Sequence, residues 1–155
     1  MALDDIDRRI LKLLQANCAA TVSEISEQVG LSTTPCWRRI QHLEKEGYIK
    51  ARVCLADADK LNVGVTVFVR LQTTEHNYDW LESFSRAVES IDEVVEFHRM
   101  SGDIDYLLKI VVPNITAYDA IYKRLIRAAS LSNVTANFAM ETIKSTTALP
   151  VTYAQ

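Results

Sequence analysis

Glycine and proline are scarce in this chain, with 4 and 3 among 155 residues. That excludes collagen-like and low-complexity architectures, and the few that occur stand at joints between periodic segments. Cysteine is scarce too. Cys18, Cys36 and Cys54 are odd in number and lie 18 residues apart, which fits neither a disulfide framework nor a zinc knuckle. His42, His76 and His98 are scattered, with no H-x-x-x-H and no paired Cys-x-x-Cys, so neither a metal site nor a cofactor is expected. No apolar run approaches the ~20 residues that span a bilayer. The opening Met-Ala-Leu-Asp-Asp is acidic where a secretory leader is basic, so the expectation is a soluble, cytoplasmic protein with no membrane partner. Any Ser/His/Asp set, Cys/His pair or phosphate-binding glycine loop is missing as well, so catalysis is not expected.

What is present is ordinary globular composition, 48% hydrophobic and 24% charged, in a length that suits one or two small domains. The net charge of −3 is uneven. Residues 1–60 carry equal numbers of acidic and basic side chains, and residues 61–155 hold the whole deficit. Within the first stretch Arg38, Arg39, Lys45, Lys50 and Arg52 crowd together. A globally acidic chain with a local basic stripe is compatible with nucleic-acid binding, because steering depends on the face presented. Taken alone, the same stripe is more often a solvated helix face.

The apolar periodicity divides the chain. Asp4 is placed to cap a helix whose residues Ile6, Ile10, Leu13 and Leu14 fall on one stripe. Thr21 and Glu24 form a capping-box pair opening a short helix with Val22, Ile25 and Val29 inward, stopped by Gly30. Ser32 is placed to cap a third helix, from about Thr33 to Glu46, which buries Cys36, Ile40 and Leu43 and closes at Gly47. A short helix, a tight glycine turn and a longer helix make a helix-turn-helix, whose second helix enters the DNA major groove. Residues 48–55 alternate like a strand, giving a small wing that would carry Lys50 and Arg52 to the DNA backbone, and residues 57–60 read as a linker.

From Leu61 the period changes to 2. Strands are predicted over 63–73, 94–100, 104–112 and 134–143, with helices over 76–90 and 115–129. The fold class is therefore α+β: an N-terminal winged helix-turn-helix (1–60) followed by a ferredoxin-like β-α-β-β-α-β domain (61–155). Val65, Val67, Val69 and Leu71 alternate in a way that makes the helix-free sheet face apolar, and a sheet-on-sheet dimer would cover it.

These segments now resemble a known family. Leu3-Asp4-Asp5-Ile6-Asp7-Arg8-Arg9-Ile10-Leu11, Gly30-Leu31-Ser32, Arg38-Arg39-Ile40-Gln41-His42-Leu43-Glu44, Gly47-Tyr48-Ile49 and Ser101-Gly102-Asp103-Ile104-Asp105-Tyr106-Leu107 occur in the order and spacing of the Lrp/AsnC (feast/famine) transcriptional regulators. The strings Thr33-Thr34-Pro35-Cys36-Trp37 and Phe138-Ala139-Met140-Glu141 to Ser145-Thr146-Thr147-Ala148-Leu149-Pro150 look most like the DecR/YbaO-like branch. The resemblance covers nearly the whole chain. It implies an amino-acid-sensing (RAM/ACT-like) C-terminal domain, an L-cysteine or related small amino-acid effector bound between dimers, and a homodimer that assembles further, to an octamer.

The DNA candidates are Ser32, Thr33, Thr34, Arg38, Arg39, Gln41 and His42, with Lys45, Lys50 and Arg52 as backbone contacts. Arginine and glutamine suit guanine and adenine edges; threonine hydroxyls and helix N-terminal amides suit phosphates. Arg38 and Arg39 are the leading candidates, while Trp37 is read as a rim residue packing the helix-turn-helix core and Cys36 as a small buried hydrophobe. Ser101, Gly102, Asp103, Asp105 and Tyr106 join two strands. By themselves they are equally a solvated glycine turn, but the resemblance implies that they hold the effector. Backbone N–H groups at the turn would receive its carboxylate and Asp105 its ammonium. By the same resemblance Ile115, Asn137, Phe138 and Ala139 line that pocket. Two rivals stand beside this reading: an architectural, weakly sequence-specific DNA wrapper, and a small α+β ligand-binding dimer or enzyme.

Overall fold

The computed structural model describes residues 3–154. They form two compact units, one running through Leu55 and resuming at Ile143, the other spanning Ala56–Thr142.

The first unit is three helices, α1 (Asp5–Ala16), α2 (Val22–Val29) and α3 (Thr33–Lys45). Two capping boxes start the first two. The Asp4 carboxylate accepts the Asp7 N–H at 2.8 Å while Asp7 returns a longer bond to the Asp4 N–H. Thr21 and Glu24 exchange the same pair of bonds. Each box satisfies N–H groups that have no partner within the helix. Gly30 ends α2 at φ +76°, the left-handed conformation that lets the chain turn sharply into α3. Ile10, Ile25, Val29, Cys36, Ile40 and Leu43 are buried together where the helices meet.

Two expectations fail in this unit. Ser32 occupies the N-cap position of α3, but its side chain makes no capping bond. Residues 48–55 do not form a wing strand, and Val53 and Leu55 are 63% and 73% exposed. An alternating sequence becomes a strand only beside a hydrogen-bonding neighbour, and none lies alongside among the described residues. The segment is instead irregular and held at the α1–α2 loop. Arg52 Nη1 donates to the Cys18 carbonyl at 3.3 Å, and the Cys18 thiol donates to the Val53 carbonyl.

The second unit contains β1 (Val65–Gln72), α4 (Tyr78–Glu89), β2 (Val94–Arg99), β3 (Tyr106–Val112), α5 (Ile115–Ala128) and β4 (Asn133–Phe138). The sheet order is β2-β3-β1-β4, with all three pairings antiparallel, as the β-α-β-β-α-β reading requires. Val67, Val69 and Leu71 of β1 and Leu108, Ile110 and Val112 of β3 are buried with Trp80, Phe84, Ile121 and Leu125 from the helices. This reverses the sequence expectation: the apolar row of β1 faces the helices. The open face instead carries the alternate residues Thr66, Phe68, Arg70 and Gln72, with a Glu96–Lys109 ion pair (2.9 Å) across β2 and β3. Alternation separates two faces, and the more apolar one goes where helices remove it from water.

β4 ends at Phe138, five residues before the predicted limit. The chain then returns to the first unit, with which residues from Ile143 onward make their contacts. The Gln15 side chain clasps Leu149, accepting its N–H at 2.6 Å and donating to its carbonyl at 3.1 Å. Arg8 Nη2 donates to the Ala154 carbonyl at 3.0 Å. Val151, in a single 3-10 turn, and Ala154 pack on the helical core.

Candidate functional site

With 100° per residue, the buried positions Cys36, Ile40 and Leu43 of α3 define an inner face, and Thr34, Arg38, Gln41 and Lys45 fall opposite it. All four are exposed. Thr33 and Ser32 stand exposed at the helix start, where the first amides point outward and Pro35 has no N–H to leave unpaired. Lys50 is exposed and His42 half-buried. These eight residues keep the surroundings a nucleic-acid contact needs.

Arg39 does not. Its Nη1 lies 2.7 Å from both Asp4 Oδ2 and Asp7 Oδ1, and the Asp7 side chain is only 4% exposed. These partners hold the guanidinium even more firmly protonated, chiefly through the Asp7 hydrogen bond. The Asp7 backbone bond and then Arg39 draw the Asp4 carboxyl below its ordinary value, against a desolvation effect in the other direction. Arg39 therefore clamps α3 to the start of α1 and is not a free base reader. Arg52 is also engaged, 3.0 Å from Glu44 Oε1 and bonded to the Cys18 carbonyl. Gln41 is bonded to Glu44 at 2.9 Å, but in the open, where the contact can be exchanged.

Trp37 departs from its rim reading. It is 51% exposed and lies one turn before Gln41 along the flank of the outward face. The signal was available in the helix angle: Trp37 sits about 100° from Cys36, too far round to join the core. Cys36 is fully buried, and burial pushes its thiol up, the opposite of an activated thiolate.

In the second unit, the loop between β2 and β3 turns at Gly102, φ +119°. Among the described residues, the N–H groups of Ser101, Gly102 and Asp103 have no acceptor. Asp103 pairs with Arg70 at 2.7 Å, and its carbonyl accepts from Gln72. Arg70, Gln72, Asp103, Asn133 and Thr135 line a shallow polar depression. Asp105 accepts the Thr73 N–H at 2.8 Å through Oδ2, while Oδ1 lies 3.9 Å from His76 Nδ1. Thr73 in turn donates to the Ser130 carbonyl. Asp105 is thus a loop brace through Oδ2, with Oδ1 turned toward His76. Sequence reading missed Arg70, Gln72, Thr73 and His76, which reach the loop from a strand and turn more than 25 residues upstream.

Tyr106 lies on the inner side of the sheet. It is 5% exposed and packs among Trp80, Phe84 and Phe97, because β3 alternates and Tyr106 shares the inward phase of Leu108 and Ile110. The remaining candidates do not join the loop either. Tyr106 pairs with Leu71, whereas Phe138 pairs with Val67, four residues back along β1 and so about 13 Å away. Ile115, 68% exposed, follows Val112, whose partner Val65 is at that same far end. Phe138 sets its ring against Tyr118 on the helix side, Asn137 is exposed, and Ala139 donates its N–H to Thr66. The candidate effector residues therefore fall into two groups at opposite ends of the sheet.

Comparison with known proteins fits this architecture. Residues 3–50 match the model of a winged helix-turn-helix DNA-binding domain, and residues 66–149 that of the Lrp/AsnC ligand-binding domain. The chain is 50% identical to the glutamate uptake regulatory protein of Zymomonas mobilis, across 96% of this chain and 91% of that protein. It is 43% identical to the DNA-binding transcriptional activator DecR of Escherichia coli, across 96% and 99%. An AsnC family regulator from Agrobacterium tumefaciens superposes with a TM-score of 0.94 at 53% identity, covering 97% and 99%. The regulator NMB0573 of Neisseria meningitidis, solved with L-methionine, superposes at 0.92 and 31% identity, covering 97% of each chain. A helix-turn-helix with an exposed polar recognition face, an antiparallel α+β ligand domain and relatives that are regulators rather than enzymes converge on one assignment: the chain belongs to the Lrp/AsnC family of DNA-binding transcriptional regulators, in its DecR-like branch.

Proposed function

We propose that this protein is a sequence-specific regulator whose DNA binding responds to a small amino acid, with L-cysteine or another sulfur-containing amino acid as the effector. The observation that carries the sensor reading is the β2–β3 loop, where three unpaired N–H groups lie close in sequence to the Asp105 carboxylate. An α-amino acid presents the complementary pair, a carboxylate for the amides and an ammonium for Asp105. The methionine bound to the Neisseria relative favours a sulfur-containing ligand. In this reading the protein works in the cytoplasm, as a DNA-binding regulator would.

The split of the effector residues bears on assembly. The half-site at Ser101–Asp105 and the half-site at Ile115 and Asn137–Ala139 face one ligand only if different chains supply them. In this reading the homodimer associates further, to an octamer, and effector sits between dimers. Arg38, Gln41 and His42 read base edges; Ser32, Thr33, Thr34, Lys45 and Lys50 meet phosphates; Arg39 and Arg52 hold the reading head in shape. A ligand shifts DNA binding only through unequal affinity for two states of the assembly.

Calorimetric titration of the twenty amino acids into the full-length protein, with sedimentation alongside, tests this. Saturable binding of cysteine or methionine with a change in sedimentation is the expected result. Asp105→Asn, which keeps an oxygen for the Thr73 N–H, should lose that binding while retaining duplex binding. Binding of none of the twenty would overturn the sensor reading.

A further inference from the structure

The recognition helix presents one large apolar side chain that the helical core does not use. Trp37 is 51% exposed, while the other tryptophan, Trp80, is buried at 9%. On α3 it stands one turn before Gln41 and next to Arg38, at the edge of the face that fits the major groove. Its chemistry narrows what it meets there. An indole has no charge and a single N–H donor, so it offers a phosphate one neutral bond where lysine or arginine offers a charge-assisted one, and most of its exposed surface is apolar ring. The major groove offers one apolar feature, the thymine C5-methyl. Gln41 adds a second indication, since a glutamine amide pairs with the N6 and N7 edge of adenine, the base across from thymine.

We infer that Trp37 is a specificity-determining residue that packs against a thymine methyl, so that Trp37 and Gln41 together read A·T pairs in the target. This rests on the DNA-binding assignment, with α3 in the major groove, and adds to it a base preference and the residue responsible. Arg38, on the outward side, reads a different edge by charge-assisted bonds.

The test uses duplexes selected by the full-length protein from a random pool, prepared in two forms: as selected, and with every thymine replaced by deoxyuridine, which deletes only the methyl. The wild type should bind the uracil duplex about 4-fold more weakly for each Trp37–methyl contact, the equivalent of ~0.8 kcal/mol for one buried methyl group. Trp37→Ala should bind the thymine duplex more weakly and should not distinguish the two duplexes. Trp37→Phe should keep part of the discrimination. Emission provides a second readout: the duplex should shift or quench the exposed indole in the wild type, and Trp37→Phe should remove that signal while leaving the emission of Trp80. Equal affinity of the wild type for both duplexes would overturn the inference, as would a Trp37→Ala variant with an undiminished thymine preference. A wild type that selects no sequence at all would instead overturn the sequence-specific reading on which the inference stands.

Discussion

Arg38 and Arg39 are adjacent and chemically identical, yet their replacement by alanine should have opposite consequences. Arg39 Nη1 contacts Asp4 and Asp7 at 2.7 Å each. Asp4 is half exposed, and that half of the clamp contributes at most ~1 kcal/mol. Asp7 is different, because its carboxylate is nearly sealed and keeps only the long bond from the Asp4 N–H once the guanidinium is removed. Stranding a buried charge costs about 3–5 kcal/mol, and the partial exposure of Arg39 itself, 32%, puts the expectation near the lower end, about 3 kcal/mol. In a unit this small that lowers the midpoint of thermal unfolding by roughly 15 °C. Arg38→Ala removes an exposed side chain with no ion-pair partner among the described residues, so the midpoint should move by only a few degrees. Calorimetry on both variants, with duplex binding measured at a temperature where each remains folded, separates the roles. Arg39→Ala should be thermally weak yet bind DNA at low temperature, and Arg38→Ala should be stable yet bind poorly. A cycle with Asp7→Asn should show about 2 kcal/mol of coupling to Arg39. If Arg39→Ala unfolds at the wild-type temperature and loses DNA as completely as Arg38→Ala, the clamp argument is wrong.

Two other predictions concern the same unit. The carboxyls of Asp4 and Glu24 are both held below their ordinary values, chiefly by backbone hydrogen bonds at helix starts. A depressed carboxyl stabilises the fold above its unfolded-chain value and loses that contribution as pH falls through its folded value, so the unfolding midpoint of this unit should be level at neutral pH and decline from about pH 5 downward. Asp4→Asn should keep a cap at a cost below ~1 kcal/mol and flatten that decline; a midpoint that climbs as pH drops from 5 to 3 would contradict it. Ending the chain after Thr142 removes the Leu149 and Ala154 contacts and the packing of Val151. It should destabilise the first unit by about 2–3 kcal/mol, with Gln15→Ala reproducing about 1 kcal/mol of that, and leave unfolding followed by Trp80 emission unchanged.

Much of this was legible in the sequence because local signals agreed with one another. Thr21 and Glu24 at capping spacing, Gly30 at the turn and the change of period near Leu61 each have a single structural meaning. What failed depends on groups far apart in the chain. The alternation in Val65–Leu71 marks two faces without telling which one helices will cover. The alternation in residues 48–55 marks a strand only if another strand comes alongside. Arg39 looks as free as Arg38 until α1, 32 residues earlier, brings Asp7 against it. Ser145–Pro150 has no period, so nothing local marks it for α1. The effector candidates arrived as one set by resemblance, but strand register places them at two ends of the sheet.

The return of the C-terminus to α1 has a consequence for synthesis. A chain made from its N-terminus at about 5–20 residues per second folds its domains in order, the first before the second. Here the first domain to emerge is the last to be finished, because Gln15 waits for Leu149 and Arg8 for Ala154. A ribosome that stops early, or a protease that trims the tail, leaves a regulator with an intact sensor and an incomplete reading head. Loss of residues from Ile143 onward thus strips contacts from α1 while leaving the sheet-bearing unit whole.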